Sequence, residues 1–244
     1  DLLSFPMTWI FVLILNVPTK VYHKLLIAYA VRKLRNHKLM TVIGITGSYG
    51  KTSVKDYLAT ILSTKYKTIK TEASKNSAIG IAEIILKNLQ PDHDVFVVEM
   101  GAYKTGEIAE MASMVKPQIG IITAINEQHQ DLFGSLENTM KAKYELIDGL
   151  VGKRIATMNM DDERVRTMGE WAKKDGCNVW DGKFQTTDVK AGFDGIDFTC
   201  IFGNKKAKVK TSVIGAHQVN NILLAVSGAM AAGMTFKEAA EATG

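Results

Sequence analysis

Residues 46–53 read TGSYGKTS and stand between an apolar run, TVIGIT at 41–46, and a stretch of helical periodicity from 51 to about 63. Gly47 and Gly50 let the backbone turn tightly, so that successive N–H groups converge on an anion at a helix N-terminus. In such a loop Lys51 reaches the β and γ phosphates of a nucleotide and the Thr52 hydroxyl ligates Mg2+. Thr46, Ser48 and Ser53 complete the cradle. The strict phosphate-loop pattern has glycine at position 45, where this chain has Ile45. A glycine-rich turn whose lysine serves no ligand is the competing reading, and the strand-then-helix flanks weigh against it.

Two further positions have the chemistry of a metal site. Glu99 ends the apolar run DVFVVEM at 94–100, which puts a carboxylate at the carboxyl edge of a sheet, where open α/β folds bind ligands. A carboxylate there suits Mg2+ beside nucleotide phosphates. A strand-end glutamate that merely meets solvent is the plainer alternative. His129 falls in the loop after the run ending at Thr123, again on that edge. By itself it reads as a solvated side chain.

These positions are carried by an alternation of strands and helices, the pattern of a mostly parallel sheet with helices on both faces. Strands are expected at 41–46, 67–70, 94–100, 118–123 and 154–158. Helices are expected at 51–63, 79–89, 105–115, 136–150 and 163–173. Val54, Leu58, Ile61 and Leu62 mark one face of the first of these helices. Beyond residue 178 short alternating stretches, around Val189, 196–202 and 207–213, predict antiparallel strands added at an edge. An alanine-rich helix at 215–232 and the start of another at 235–243 follow.

Of the 244 residues, 46% are hydrophobic and 23% charged, which excludes wholesale disorder. The net charge is +5, but residues 2–55 contain no acid and eight cations, so removing that +8 leaves −3 for the rest. With no basic face recurring later, nucleic-acid binding is excluded as a function class. Residues 2–17 form an uncharged apolar run slightly short of the roughly 20 needed to span a bilayer. The basic cluster follows it, opposite to a secretory signal. Membrane contact through residues 2–38 is expected, with residues 21–34 as an interfacial helix and the body on the cytoplasmic side. A docking helix broken near Pro6 and Pro18 is the alternative. Residues 1–39 are thus set apart from a body at 40–244. Cys177 and Cys200 form no CxxC pair and fit a reducing compartment.

The departure at Ile45 has a parallel. TG, two variable residues, then GKT resembles the loop of the Mur ligases. The likeness runs on through VVEMGAYKTGEIAEMASMVKPQIGIIT, NEQHQDLFGSLENTMKAKYELI, MNMDDERV and GAHQVNNILLA. EMGA followed by GEIA, and HQDLFGS, are similar to the MurF type, which adds D-alanyl-D-alanine to UDP-N-acetylmuramoyl-tripeptide in peptidoglycan synthesis. The resemblance implies ATP, two Mg2+ ions, a nucleotide-linked muropeptide and an amino acid or dipeptide as the amine. It makes His129 a ligand of a second Mg2+, and Lys143 a carbamylated ligand of the same ion. It places Asn221 at the adenine ring with His217 in the same pocket, and Asn159 and Asp161 near the nucleotide. Ser74, Asn76 and Ser77 match a substrate-facing segment. Gln218 stands where the family has Asn, and Tyr103 where the MurF type has Asn. The family's N-terminal uridine-binding domain is replaced by the apolar, basic segment, and a C-terminal domain of the same protein is expected beyond residue 244. Folylpolyglutamate and cyanophycin synthetases, and a membrane-tethered ATP-binding module without ligase activity, are the rival readings.

Overall fold

Six parallel strands, β1 (Thr41–Thr46), β2 (Thr68–Lys70), β3 (Val95–Glu99), β4 (Ile119–Ile122), β5 (Ile155–Met158) and β6 (Asn178–Trp180), lie in the order β2-β3-β1-β4-β5-β6. The structure, a computed structural model, describes residues 4–37, 40–72, 74–126, 134–180, 182–216 and 218–243, with side chains from residue 18 onward. The period of two divides the central strands between two cores. Ile43, Ile45, Val95, Val97, Ile119 and Ile121 face one, and Val42, Phe96 and Val98 the other. Burial on both faces is why these strands read as unbroken apolar runs.

The helices are α1 (Ser4–Arg35), α2 (Lys51–Ser63), α3 (Ala78–Asn88), α4 (Glu107–Val115), α5 (Leu136–Asp148), α6 (Glu163–Lys174), α7 (Gln218–Ala231) and α8 (Phe236–Glu241). α2, α7 and α8 belong to the first core. α1, α3 and α4 cover the second, and α5 and α6 extend that side over β5. On α7, a Cβ at Gly228 would come within 2.7 Å of Ile121, so the missing side chain lets this helix approach the sheet.

The antiparallel strands are not an edge extension. β7 (Phe184–Gly192), β8 (Gly195–Phe202) and β9 (Lys205–Thr211) form a separate three-stranded sheet. The edge beside β5 is taken by β6, which the sequence reading did not anticipate. Ile196, Phe198 and Cys200 alternate inward on β8 and join the first core instead of an edge ladder. Phe184, Phe202 and Phe236 close this junction, with ring centroids 5.3 to 6.2 Å apart.

The N-terminal helix is one unbroken element that docks on the body through its C-terminal part. α1 continues through Pro18 without a break. Ala30 and Leu34 are buried in one cluster with Ile81, Ile85 and Met111, and Leu26, Ile27 and Val31 pack against it. Lys33 Nζ donates to Leu86 O (2.9 Å) and His37 Nε2 meets Gln90 O (3.0 Å). The stretch read as an interfacial helix is therefore docked on α3 along one face, while Val21, Tyr22, Leu25 and Tyr29 are exposed. Among the described residues no helix is long and apolar enough to cross a membrane.

Candidate functional site

The registers bring three strand ends to one line. Ile45 pairs with Glu99, and Thr46 with Ile122. The loop after β1, the end of β3 and the segment after β4 therefore meet at the carboxyl edge, where open α/β sheets bind ligands. Gly47 has φ 149° and Gly50 has φ 80°. A Cβ on Gly47 would fall on the Thr123 hydroxyl, and one on Gly50 would stand 2.7 Å from Asn221 Oδ1. Both glycines are required, one by the strand beside the loop and the other by α7.

The loop is held from outside. Ser48 N donates to Ala124 O (2.7 Å), Asn126 N to Ser48 Oγ (3.1 Å), and Thr123 Oγ1 to Tyr49 O (2.5 Å). Thr46 Oγ1 donates to Met100 O (2.9 Å). Gly50 opens α2 with no side-chain cap. The first-turn N–H groups, those of Thr52 and Ser53 among them, are thus not claimed by a capping side chain, as an anion cradle requires. Lys51 Nζ donates to Gly47 O (2.8 Å) and Ser48 O (3.2 Å), arching over the loop. Burial lowers its pKa, and the Glu99 charge partly offsets this.

Glu99 is 4% exposed and is the hub of the site. Its carboxylate accepts from Thr52 Oγ1 (3.0 and 3.2 Å), Lys55 Nζ (3.2 Å) and Asn76 Nδ2 (3.4 Å). Its own N–H donates to Thr71 Oγ1 (2.9 Å). Lys143 projects from α5 and is buried, with Nζ 3.5 Å from Ala102 O. Burial first, and the Lys51 charge second, push its pKa down to about 8 against the pull of Glu107 and Glu145. That coupling places Lys143 within electrostatic reach of the loop. The structure thus brings Lys51, Thr52 and Glu99 together at the loop, with Lys143 buried on α5 within reach of the Lys51 charge. His129 and His217 lie outside the described residues. Among the described residues no three His, Cys, Asp or Glu side chains gather into a metal-holding group. What stands there is the Thr52 hydroxyl against the Glu99 carboxylate, a hard-oxygen pair that fits Mg2+ completed by phosphate and water oxygens.

Lys55 was missed as a site residue. It sits one turn beyond Lys51, the signal that was present, but a lysine on a helix reads as a solvated charge, and here it is 1% exposed. Asn221 Nδ2 donates to Gln218 Oε1 (2.9 Å) and the side chain lies against Gly50. A neighbouring cavity of about 310 Å3 is lined instead by Asn220, with Asn159, Asp161, Phe184 and Ser227. Ser227 Oγ is buried there with no hydrogen-bond partner among the described residues. Asp162, rather than Asp161, ties the strand ends together, accepting from Ile125 N (3.1 Å) and capping α6.

The Mur ligase middle domain family matches residues 45–229. The UDP-N-acetylmuramoyl-tripeptide--D-alanyl-D-alanine ligase of Escherichia coli strain K12 is 33% identical over 202 residues, covering 80% of this chain and 44% of that protein. The Bacillus subtilis enzyme of the same name is 30% identical over 208 residues, covering 82% and 43%. MurF from Acinetobacter baumannii superposes with a TM-score of 0.83 at 25% identity, covering 90% of this chain and 49% of that one. MurF of Thermotoga maritima, solved with ADP, gives 0.77 at 25%, covering 87% and 50%. The chain spans less than half the length of these two curated relatives. A loop without the usual first glycine, a buried glutamate at the adjacent strand end and a buried lysine that feels the charge of Lys51 occur here within one matched span, and the chain belongs to the Mur ligase family.

Proposed function

We propose that residues 40–244 are the ATP-binding part of a longer MurF-type ligase, which joins D-alanyl-D-alanine to UDP-N-acetylmuramoyl-tripeptide in peptidoglycan precursor synthesis. The observation that carries this reading is the Glu99 carboxylate held by Thr52, Lys55 and Asn76 directly beside the Lys51 loop.

In this reading the loop N–H groups and Lys51 hold the β and γ phosphates, exchanging the Gly47 and Ser48 carbonyls for phosphate oxygens. Thr52 and Glu99 are the residues that would hold Mg2+, which when bound would supply charge neutralisation at the phosphates. The acceptor is a substrate carboxylate oxygen: the bond from the γ-phosphorus to the bridging oxygen breaks, ADP leaves, and an acyl phosphate forms. The amine then attacks the carbonyl carbon, inorganic phosphate departs, and an amide remains with the loss of one proton. No protein nucleophile is needed. The chain's residues position the groups and neutralise charge.

Lys143 is assigned as a carbamate. A lysine with its pKa lowered to about 8 keeps a minor but reactive neutral fraction near neutral pH, and the neutral amine can add CO2 with loss of one proton, giving an anionic carbamate that would serve with His129 as an oxygen ligand for a second Mg2+. The cavity holding Asn159, Asp161 and the unpartnered Ser227 is assigned to the nucleoside, with Asn221 and His217 at its loop side. The same reading keeps the protein in the cytoplasm, supported by the free, buried Cys177 and Cys200. It keeps α1 at the inner face of the cell membrane, supported by the exposed Tyr22, Leu25 and Tyr29.

The deciding experiment measures ADP release by the full-length protein with UDP-N-acetylmuramoyl-tripeptide, with and without D-alanyl-D-alanine. Sustained release that requires both is expected. Release independent of either substrate overturns the MurF assignment.

A further inference from the structure

A cavity of about 510 Å3 lies between α1, the start of α3 and the N-terminal half of α4. Lys20, His23, Lys24 and Ile27 line it from α1, a spacing that sets all four on one helix face. Glu107 and Glu110 line it from α4, and Asn76 and Gly101 from the loops. The two walls are thus of opposite charge. Asn76 is shared with the site already described, since its amide reaches Glu99 Oε1 at 3.4 Å. Gly101 permits this, because a Cβ there would stand 2.8 Å from Asn76 Nδ2. The α1 wall is held in place by the burial of Ala30 and Leu34 and by the Lys33 bond to Leu86. Glu107 is already engaged by the N–H groups of Tyr103 (2.7 Å) and Lys104 (3.3 Å), which leaves the exposed Glu110 as the more available acid.

α1 precedes residues 45–229, so the family match assigns it no role. We propose that it forms the specificity wall for the peptide arm of the acyl substrate. Lys20, His23 and Lys24 receive the arm's carboxylates, Glu110 receives a side-chain ammonium, and Asn76 marks the inner end, where the carboxylate to be activated meets the loop. The ligand class is a peptide bearing several carboxylates and one amino group, that is, one containing a diamino acid. Ile27 and the other apolar lining give its alkyl stems a dry surface. This inference rests on the ligase reading above and adds a subsite to it.

The test is calorimetric titration of the full-length protein, with Mg2+ and a non-hydrolysable ATP analogue, using UDP-N-acetylmuramoyl-tripeptide that ends in a diamino acid. Lys20→Gln with Lys24→Gln is expected to raise Kd for the peptide nucleotide about five- to ten-fold, as two partly solvated charge pairs should. Affinity for the ATP analogue and the melting temperature should stay unchanged, because both lysines are exposed. Glu110→Gln should weaken the diamino peptide but not the same peptide acetylated on its side-chain amine. An unchanged Kd in the double variant, with the wild type binding, overturns the α1 wall and leaves the ligase reading intact. A wild type that binds the analogue but no peptide nucleotide overturns both.

Discussion

Lys55 Nζ stands 3.2 Å from Glu99 Oε2, and the two side chains are 1% and 5% exposed. A buried cation is thus locked to the carboxylate that reaches toward Thr52. Lys51, one helical turn earlier, is bonded to loop carbonyls and affects Glu99 only through its charge. The two lysines divide the work. Lys51 serves the loop, and Lys55 fixes the orientation of Glu99.

Lys55→Met should therefore destabilise the fold by about 3–5 kcal/mol, the cost of leaving a buried charge without its partner. Mg2+ should recover more stability in this variant than in the wild type, since the ion takes over neutralisation of Glu99. Denaturant titrations with and without Mg2+ read both effects. Equal midpoints for variant and wild type would show that the pair contributes nothing.

Lys51→Ala should weaken ATP binding about 10- to 100-fold, the loss of one or two charge-assisted hydrogen bonds to phosphate. The fold should tolerate it, because Lys51 donates only to two carbonyls of its own loop. Calorimetry with ATP and Mg2+ checks the affinity. Undiminished binding removes the loop from the nucleotide site.

Lys143→Arg keeps the positive charge but offers no neutral amine for CO2 at working pH. Catalysis should fall by at least about 100-fold, the size of losing about 3 kcal/mol of charge stabilisation in the transition state. Wild-type activity should rise with added bicarbonate, and the variant's should not. The neutral fraction of Lys143 grows as pH rises through about 8, so the gain in activity per equal increment of dissolved CO2 should grow over that range. Bicarbonate without effect at any pH contradicts the carbamate.

Much of this was legible in the sequence because it rests on local pattern. β1 and α2 occupy the predicted residues, since an apolar run, two glycines and a 3.6-residue period all agree there. Glu99 was found because a carboxylate ending an apolar strand is conspicuous. Long-range pairing was not legible. Lys55 belongs to the site only because β3 lies beside β1 and brings Glu99 under α2. β6 was missed because three residues, Asn178–Trp180, give too short a pattern to separate from the alternating stretch that follows. The docking of α1 depends on Ala30 and Leu34 meeting α3, a contact to which residues 21–34 alone give no clue.

Far from the loop, Glu238 sets an acid limit on stability. Its carboxylate closes a capping box with Thr235 at the start of α8 and pairs with Lys65 at 3.1 Å, joining α8 to the end of α2. The N–H and hydroxyl of Thr235, then Lys65, lower its pKa from 4.5 to about 2. A depressed carboxylate binds protons more weakly in the folded state than in the unfolded one, so its contribution is full above pH 4.5, declines below that and is gone once the pH has fallen through about 2. Glu238→Gln should therefore lower the melting temperature at neutral pH, where the charged cap and the Lys65 pair are lost. The gap to the wild type should close as the pH is taken from 4.5 toward 2. Melting curves across that range test the sign directly, and a gap that stays constant with pH would mean that the charge of Glu238 plays no part in holding α8 to α2.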